Sequence, residues 1–360
     1  MSRVYINRAR FSEELKRIMA LQGMNPLKLR IHSLRSILAH DKADRLGILN
    51  IGMDGDVAPL SKELLMRELD QIIKARSLER ARYYISRLAR GVSEVKTSAV
   101  NDINLHRWKE YEDIITDSLW VMDRRDTGGA HLGWYWGNFI PQIPNQLLRR
   151  YTKKGEWVLD PFIGSGTTAI EAKRLGRNSL GIELNPEVVE RAIEAVRAQR
   201  SEQETAHPIY TGDSRNINLD EILDEHGVRS VHFLLMHPPY HDIIQFSESS
   251  SDLSNAKDID SFLTMFGEVV DNCRRVLESG RYFGLVLGDK YSKGEWIPLG
   301  FYCMQEVVKR GFQLKSIIVK NFEDTRGKRN NKELWRYRAL TGGFYIFKHE
   351  YILLFRKRKG

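Results

Sequence analysis

The sequence predicts an α/β fold in which a mostly parallel sheet carries helices on both faces, preceded by a mainly α-helical N-terminal domain. From residue 157 onward, short apolar runs alternate with segments of helical spacing, as in parallel strands joined by crossover helices. Before residue 125, apolar residues such as Phe11, Leu15 and Ile18 recur at helical spacing. The 360 residues are enough for two domains, which we place at 1–125 and 126–360.

The second domain opens with a loop and then follows a regular order of elements. The stretch 126–138 is rich in glycine and aromatic residues, which favours a loop. Strands are expected at 157–160, 179–183, 231–236, 281–288, 345–347 and 351–356. Helices are expected at 167–175, 186–199 and 262–277.

The composition excludes several classes of protein. Hydrophobic residues make up 42% and charged residues 29% of the chain, which is ordinary for a globular protein and excludes wholesale disorder. No apolar run approaches the roughly 18 residues of a membrane span, and the first residues lack the apolar core of a secretory leader. The two cysteines, Cys273 and Cys303, are far apart, which excludes a disulfide framework and a Cys-rich zinc site. We therefore expect a cytoplasmic protein without a metal centre.

The net charge of +9 is unevenly distributed along the chain. Residues 1–100 carry +8 and residues 301–360 carry +10, whereas residues 201–300 carry −9. Basic flanks of this kind suit a polyanion such as nucleic acid. Solvation of helix faces accounts for the same charges, and for the arginine-rich helix at 80–90 both interpretations stand.

The first motif is a glycine loop after the first strand of the second domain. The string Asp160-Pro-Phe-Ile-Gly-Ser-Gly-Thr-Thr runs from the strand end into a helix, at the edge where doubly wound sheets bind ligands. Gly164 and Gly166 can adopt left-handed backbone angles and leave no side chain in the way of a ligand. Thr167 or Thr168 is expected to cap the helix. Because no lysine follows the glycines, the loop is not a Walker A motif.

Two carboxylates follow later strands. Glu183 ends the next strand, about 20 positions beyond the glycine loop, where an acidic residue binds the ribose hydroxyls of a nucleoside-bearing cofactor. Asp213 follows another short strand, where it can accept a hydrogen bond from the adenine amino group of such a cofactor. Taken alone, each is also compatible with a surface carboxylate.

The second motif ends a buried strand. The string Phe233-Leu-Leu-Met-His-Pro-Pro-Tyr places two prolines and an aromatic residue at the strand exit. The prolines make this stretch of backbone rigid and poor in donors, so that its carbonyls point outward as acceptors. The tyrosine offers a flat face on which a ring can stack.

Together the two motifs resemble those of the class I, S-adenosylmethionine-dependent DNA amino-methyltransferases, which methylate N6 of adenine or N4 of cytosine. The resemblance covers residues 131–360 and implies a Rossmann-like methyltransferase fold, S-adenosylmethionine as the cofactor and double-stranded DNA as the partner. Many members with this glycine loop carry the catalytic motif first, whereas here it comes second. With Asp213 added, the candidate cofactor-binding residues are Asn138, Asp160, Pro161, Phe162, Gly164, Ser165, Gly166, Thr167, Thr168, Glu183 and Asp213.

The resemblance also implies a catalytic tip, formed by His237, Pro238, Pro239 and Tyr240. In that family, the first side chain of the motif and the carbonyl of the first proline accept hydrogens of the target amino group. These acceptors correspond to His237 and Pro238 here. Tyr240 would stack on a base that is flipped out of the duplex, because the amino nitrogen cannot be reached inside it.

His237 departs from the family pattern, which carries Asp, Asn or Ser at this position. A neutral imidazole can accept one hydrogen bond, whereas a protonated one accepts none. We therefore expect activity to fall as the pH drops through an ordinary histidine pKa, between about pH 8 and pH 5.5. The departure leaves the target base open, and it also permits a catalytically inactive DNA-binding subunit.

A basic segment near the end of the chain is the candidate DNA contact. Residues 321–338 are dense in Arg, Asn and aromatic residues and predict a long loop or short helix, within a candidate recognition insert at 321–343. Arg can read guanine and Asn can read adenine in the major groove. A solvated loop that touches only phosphates is the alternative. The candidate DNA-binding residues are Arg326, Lys328, Arg329, Arg336 and Arg338.

The sequence thus predicts a site-specific DNA methyltransferase whose helical N-terminal domain helps to hold DNA. On the resemblance alone, site specificity suggests a restriction-modification or phage-defence setting, with cognate restriction or defence components as partners. An RNA or tRNA amino-methyltransferase is the rival enzyme, although no RNA-binding module is recognisable in the N-terminal domain. An NAD oxidoreductase is disfavoured, because the Pro-Pro-Tyr tip has no role there.

Overall fold

The computed structural model describes residues 2–40, 46–49, 56–131, 133–322 and 332–359. The chain separates into two compact units, the first comprising 1–99 and 103–113 and the second 100–102 and 114–360. This division precedes the predicted boundary at 125. The reason is that Leu119 and Trp120 pair with a strand of the second unit, and Trp120 is buried in the core of that unit.

In the described residues of the first unit, four α-helices combine with a two-stranded sheet. In chain order its elements are β1 (Arg3–Asn7), α1 (Arg8–Met19), α2 (Met24–His40), β2 (Val57–Ser61), α3 (Lys62–Ile73) and α4 (Leu78–Ser93). The two strands pair antiparallel, and the apolar faces of the helices meet in one core. Asn7, Ser61 and Ser77 cap α1, α3 and α4, because each side-chain oxygen accepts a backbone hydrogen bond from the first turn.

Over the part of the chain that the structure describes, the second unit is built on an eight-stranded sheet. The strands of the unit, eight in this sheet and two in a separate pair, are β3 (Leu119–Trp120), β4 (Trp157–Asp160), β5 (Asn178–Glu183), β6 (Ile209–Thr211), β7 (Val231–Met236), β8 (Leu277–Leu287), β9 (Lys290–Ser292), β10 (Glu295–Ile297), β11 (Phe312–Asn321) and β12 (His349–Lys357). Its helices are α5 (Gln142–Tyr151), α6 (Thr167–Arg174), α7 (Pro186–Ala198), α8 (Leu219–Glu225), α9 (Ile259–Val276), α10 (Leu299–Lys309) and α11 (Lys332–Gly342). Strands β9 and β10 form a separate antiparallel pair.

The strand order in the large sheet is β3-β11-β12-β8-β7-β4-β5-β6. Strand β12 is antiparallel to both of its neighbours, and the other pairs are parallel. Helices flank the sheet, and apolar clusters lie between them and the strands. The predicted α/β class with a mostly parallel sheet is confirmed.

The sheet has a topological switch between β4 and β7. From β4 the chain winds outward through β5 to β6, and it then returns to place β7 on the other side of β4. In open parallel sheets, ligands bind at the carboxyl ends of the strands next to such a switch. These ends are Asp160, Glu183 and Met236, so both sequence motifs follow strands at this edge.

Two local predictions are wrong. The expected strand at 345–347 is irregular, because its aromatic neighbours pack against the β9–β10 pair instead of joining the sheet. The Phe344 ring stacks on Tyr291 with centroids 4.2 Å apart, and the Phe347 ring packs on Trp296 at the same distance. The expected threonine cap of α6 is also absent, since the helix starts after Gly166 without a side-chain cap.

Among the described residues, no helix is both long enough and apolar enough to span a membrane.

Candidate active site

A cavity of about 380 Å³ opens at the carboxyl ends of β4, β5 and β7. It brings together the glycine loop, both carboxylates and the Pro-Pro-Tyr tip, which are far apart in the sequence. The predicted site residues that line it are Asn138, Asp160, Pro161, Phe162, Gly164, Thr167, Glu183, Asp213, His237, Pro238, Pro239 and Tyr240. Ser165, Gly166 and Thr168 are not among its lining residues.

The glycine loop has the backbone that the sequence requires. Gly164 and Gly166 have φ angles of +50° and +84°, in the left-handed region that side chains with a Cβ rarely adopt. The Tyr135 ring also lies directly against Gly164, so closely that a Cβ there would stand 2.8 Å from Cε1 of that ring. Gly164 is therefore needed both for its conformation and for this contact.

Asp160 holds the glycine loop in shape. Its Oδ2 accepts a hydrogen bond from the Thr168 hydroxyl at 2.5 Å, and its Oδ1 accepts one from the Phe162 amide at 3.0 Å. Complete burial raises the pKa of the Asp160 carboxyl to about 7, although these two hydrogen bonds oppose the shift. The Thr168 hydroxyl thus serves the loop carboxylate instead of the helix end.

Glu183 joins the end of β5 to the glycine loop. Its Oε2 accepts the Gly164 amide at 3.2 Å, and its Oε1 accepts the Asn185 amide at 3.0 Å. Burial raises the pKa of this carboxyl, while the backbone amides partly offset the shift. A carboxylate has about four lone-pair sites, so each oxygen keeps capacity for a further donor.

Asp213 is held by the arginine that follows it. The Arg215 guanidinium donates to both oxygens, with Nη2 at 2.6 Å from Oδ2, and the Arg215 amide donates to Oδ1 at 3.0 Å. Burial raises the pKa of Asp213, but the hydrogen bonds from Arg215 outweigh it and the net shift is downward. Asp213 is therefore an ionised acceptor on the cavity wall.

The segment at 135–140 forms another wall of the cavity. The Tyr135 ring stacks on Phe246, with centroids 5.7 Å apart. Asn138 donates a side-chain hydrogen bond to the Ser165 hydroxyl and accepts one from Thr167 at 3.4 Å. The predicted site residue Asn138 thus connects this segment to the glycine loop.

The catalytic tip begins where β7 ends. His237 is half-buried, and the Phe139 ring packs on its imidazole with centroids 5.0 Å apart. Burial lowers the pKa of His237 to about 4, with Lys320 acting in the same direction and Glu350 opposing it. The expectation that His237 titrates between about pH 5.5 and 8 is therefore wrong, because an ordinary histidine pKa presumes a solvated ring.

The backbone at His241, directly after the tip, is strained, and two hydrogen bonds hold the His241 side chain in place. His241 has a φ angle of +54°, which is uncommon for any residue other than glycine. Its Nε2 donates to the Ala256 carbonyl at 2.8 Å, which leaves Nδ1 to accept from Lys290 Nζ at 2.9 Å. The Lys290 ammonium also pairs with Asp242. These contacts fix the direction in which the chain leaves Tyr240.

Sequence reasoning missed two charged residues of the site. Lys320 of β11 and Glu350 of β12 face each other in the strand register and form an ion pair at 2.9 Å. Both line the cavity, and Glu350 also accepts the Tyr240 hydroxyl at 3.2 Å. A charged residue inside each apolar strand is the signal that could have revealed them. Gly288 completes this corner, since a Cβ there would stand 2.9 Å from the Tyr240 ring.

The predicted DNA-contacting residues divide into two groups. Arg326, Lys328 and Arg329 lie outside the described residues. Arg336 and Arg338 lie on α11 with exposed side chains, and the Arg338 guanidinium lies 5.4 Å from the centre of the Trp335 ring. The same helix exposes large apolar side chains, namely Leu334, Tyr337 and Leu340.

The chain is similar to known proteins. The N6_N4_Mtase family model, described as DNA methylase, matches residues 87–194 and 231–360. The chain is 44% identical over 52 residues to the Type II methyltransferase M.MjaII of Methanocaldococcus jannaschii, which is 14% of this chain and 10% of that protein. It is 36% identical over 84 residues to the Type II methyltransferase M.XycI of Xanthomonas campestris pv. cyanopsidis, or 23% of this chain and 27% of that protein.

A third similarity is to the Type II methyltransferase M2.DpnII of Streptococcus pneumoniae. The identity is 43% over 67 residues, or 18% of this chain and 25% of that protein. The three alignments thus span about a tenth to a quarter of these relatives.

Proposed function

The chain belongs to the DNA methylase family described by the N6_N4_Mtase model, and on that premise we propose that it is an S-adenosylmethionine-dependent DNA methyltransferase. It transfers a methyl group to the exocyclic amino group of adenine (N6) or cytosine (N4) in a flipped base. One observation carries the proposal. A single cavity is lined on one side by the glycine loop, Glu183 and Asp213, and on another by His237 and the prolines that follow it.

The residues present suit the cofactor. Glu183 has acceptor capacity for ribose hydroxyls, and Asp213 is an ionised acceptor for an adenine amino group. Because Gly164 has no Cβ, the Tyr135 ring can lie against the glycine loop and line the cavity beside it. The aromatic rings of Tyr135 and Phe246 and the acidic side chains on the cavity wall favour a cation. When bound there, S-adenosylmethionine supplies an electrophilic methyl group on a sulfonium.

The tip acts on the target amino group by accepting its hydrogens. The lone pair of an exocyclic amino group is delocalised into its ring, which makes the nitrogen a poor nucleophile. Hydrogen bonds to His237 and to the Pro238 carbonyl pull the nitrogen toward tetrahedral geometry, so that its lone pair becomes available. Because its pKa is about 4, His237 is neutral and able to accept at physiological pH.

Tyr240 and α11 supply the contacts with nucleic acid. Tyr240 stacks on the flipped base and offsets part of the few kcal/mol that unstacking costs. On α11, Arg336 and Arg338 contact the DNA backbone or base edges. The helical first unit adds further basic contacts, and cognate restriction or defence components are partners of the site-specific reaction.

Methyl transfer in vitro tests this function. The purified chain is incubated with S-adenosylmethionine carrying a labelled methyl group and with either duplex DNA or tRNA, and the nucleosides are analysed by mass spectrometry. We expect label in N6-methyladenine or N4-methylcytosine of the DNA. Label in tRNA alone would show that the rival RNA enzyme is correct, and binding of DNA without any transfer would identify an inactive subunit.

A further inference from the structure

A chain of four polar side chains runs from strands β11 and β12 to the catalytic tip. Lys320 Nζ donates to Glu350 Oε1 at 2.9 Å, and the Tyr240 hydroxyl donates to Glu350 Oε2 at 3.2 Å. The Tyr240 oxygen in turn lies 3.3 Å from His237 Nε2. Three polar contacts thus link Lys320, Glu350, Tyr240 and His237 in this order.

The direction of the protons along this chain follows from charge. The side chains of Lys320 and Glu350 are only 5% and 11% exposed, and they form an ion pair in which the Glu350 carboxylate accepts from the Lys320 ammonium. An ionised carboxylate only accepts hydrogen bonds, and a tyrosine has a single hydroxyl hydrogen. That hydrogen goes to Glu350, so the Tyr240 oxygen accepts from His237, which must carry its proton on Nε2.

Two further contacts of Tyr240 agree with this direction. Burial and Glu350 raise the pKa of the Tyr240 hydroxyl well above 10, so it keeps its proton. A backbone hydrogen bond from Gly288 acts in the opposite direction and lowers that pKa, as a donor to the phenol oxygen does. A phenol oxygen has room to accept from both the Gly288 amide and the imidazole.

The tautomer of His237 determines whether its Nδ1 is a hydrogen-bond donor or an acceptor. With the proton on Nε2, Nδ1 carries a lone pair, and no hydrogen bond to Nδ1 is found within the described part of the chain. His237 lines the cavity. In the other tautomer Nδ1 would carry the proton and could not accept one from an amino group.

We propose that Lys320 and Glu350 are positioning residues that act through Tyr240 to hold His237 as the Nε2–H tautomer, so that Nδ1 accepts a hydrogen of the target amino group. This role rests on the proposed function. An aspartate at the first position of the motif needs no such control, because both of its oxygens are acceptors. A histidine at this position accepts through Nδ1 only in one tautomer, and Lys320, Glu350 and Tyr240 provide the contacts that select that tautomer.

The isosteric variant Glu350→Gln reverses the direction of the chain. The buried Lys320 ammonium draws the amide oxygen of the glutamine toward itself, which turns the amide NH2 toward Tyr240. The phenol oxygen then accepts from the glutamine and its hydrogen must go to His237 Nε2. His237 becomes the Nδ1–H tautomer, and the acceptor in the cavity is lost.

The tautomer is measured directly by NMR of ¹⁵N-histidine-labelled protein, with His237 assigned from its missing signal in His237→Asn. The two ring nitrogens give different shifts in the two tautomers, and no cofactor or DNA is needed. We expect Nε2–H in the wild type and Nδ1–H in Glu350→Gln. A wild type with the proton on Nδ1, or an unchanged tautomer in the variant, would overturn the proposal.

Kinetics provide a second readout through Tyr240→Phe, which removes the hydroxyl that connects the two ends. Glu350→Gln is expected to lower kcat by about 100-fold or more with a much smaller change in KM for DNA. In the Tyr240→Phe background the same substitution should change kcat by no more than about twofold. An equal loss of kcat in both backgrounds would mean that Glu350 acts without the hydroxyl, which contradicts the proposal.

A matched control is Glu156→Gln. Glu156 also forms an ion pair, with Arg281 at 2.5 Å, but it precedes β4 and lies at the opposite end of that strand from the glycine loop. This variant should keep the His237 tautomer and kcat of the wild type. If the wild-type protein carries the His237 proton on Nε2 but methylates neither adenine nor cytosine, the proposed function and the role of Nδ1 are wrong. The direction of the hydrogen bonds from His237 to Glu350 would still be supported.

Discussion

The ring of Tyr135 lies against the backbone of Gly164, and a Cβ at position 164 would come within 2.8 Å of Tyr135 Cε1. This contact joins the segment before β4 to the glycine loop after it. Both sides of the contact line the cavity in which we place the cofactor. A substitution that adds a Cβ at position 164 therefore tests whether this contact shapes the cofactor site.

We expect Gly164→Ala to weaken binding of S-adenosylmethionine by about tenfold or more, equivalent to roughly 1.4 kcal/mol. A methyl group at position 164 displaces Tyr135 from the cavity wall. Isothermal titration calorimetry measures the affinity.

The matched control for this substitution is Gly155→Ala. Gly155 has a similarly positive φ of +77°, but nothing lies within 4 Å of the added Cβ. Both variants should lose stability from backbone strain, whereas only Gly164→Ala should lose affinity. Equal affinities in the two variants would mean that the contact with Tyr135 does not shape the cofactor site.

Asp160 gives the stability of the protein a characteristic pH dependence. Its pKa is raised from 3.8 to about 7 by burial. Below pH 3.8 the carboxyl is protonated in both the folded and the unfolded chain. Between pH 3.8 and about 7, the Asp160 carboxyl ionises in the unfolded chain but stays mostly protonated in the folded chain. The free energy of unfolding therefore falls as the pH rises through this window, and it levels off above it.

The variant Asp160→Asn removes this titration, and the Thr168 hydroxyl can turn to accept from the amide. We expect the Tm of the wild type, relative to this variant, to fall by about 3 °C or more between pH 5 and pH 8. Thermal unfolding at a series of pH values measures the difference. A constant difference in Tm across the range would place the pKa of Asp160 near its ordinary value.

The low pKa of His237 predicts a flat pH profile for methyl transfer. His237 stays neutral until the pH approaches about 4, so its acceptor function is retained between about pH 5.5 and 8 and declines only below that range. The measurement is kcat/KM against pH, with circular dichroism at each pH as the control for folding. An inflection near pH 6.5 that disappears in His237→Asn would show that the imidazole is solvated during catalysis.

The exposed arginines of α11 predict a salt-dependent contribution to DNA binding. Replacing Arg336 and Arg338 by Ala should weaken binding and reduce the slope of log K against log salt by about 0.9 for each phosphate that these side chains neutralise. Fluorescence anisotropy with duplex DNA at several salt concentrations measures the slope. Arg197 and Arg200, two exposed arginines near the end of α7, provide the control pair. A slope that changes equally in both double variants would argue that α11 faces away from the DNA.

Much of the cavity could be predicted from the sequence because its parts follow directly after strands. The strands that end at Asp160, Glu183 and Met236 are short apolar runs, and the polar residues after each run mark the carboxyl edge of the sheet. Parallel strands bring these ends together whatever the distance in sequence between them. The glycine loop and the tip are therefore adjacent in the fold.

Lys320 and Glu350 could not be predicted in the same way. Their meeting depends on the register of β11 with β12. The alternation of apolar residues sets the face on which each side chain lies, but it allows shifts of two residues and so does not decide which residues face each other. The lowered pKa of His237 is likewise a product of burial by the surrounding elements, and a motif carries no information about burial.

The strand expected at 345–347 is absent for a different physical reason. Residues 345–347 have the composition of a strand, but Phe344 and Phe347 pack on Tyr291 and Trp296 of the β9–β10 pair. Such tertiary contacts override local β propensity.

The central claim is tested most directly by sequencing the modified bases in DNA from a host that lacks its own methyltransferases and expresses this chain. The account predicts N6-methyladenine or N4-methylcytosine at one recurrent sequence, and its absence when His237→Ala is expressed at the same level. A host DNA without either base, from cells whose purified protein binds S-adenosylmethionine, would contradict the account, as would equal modification by the His237→Ala variant.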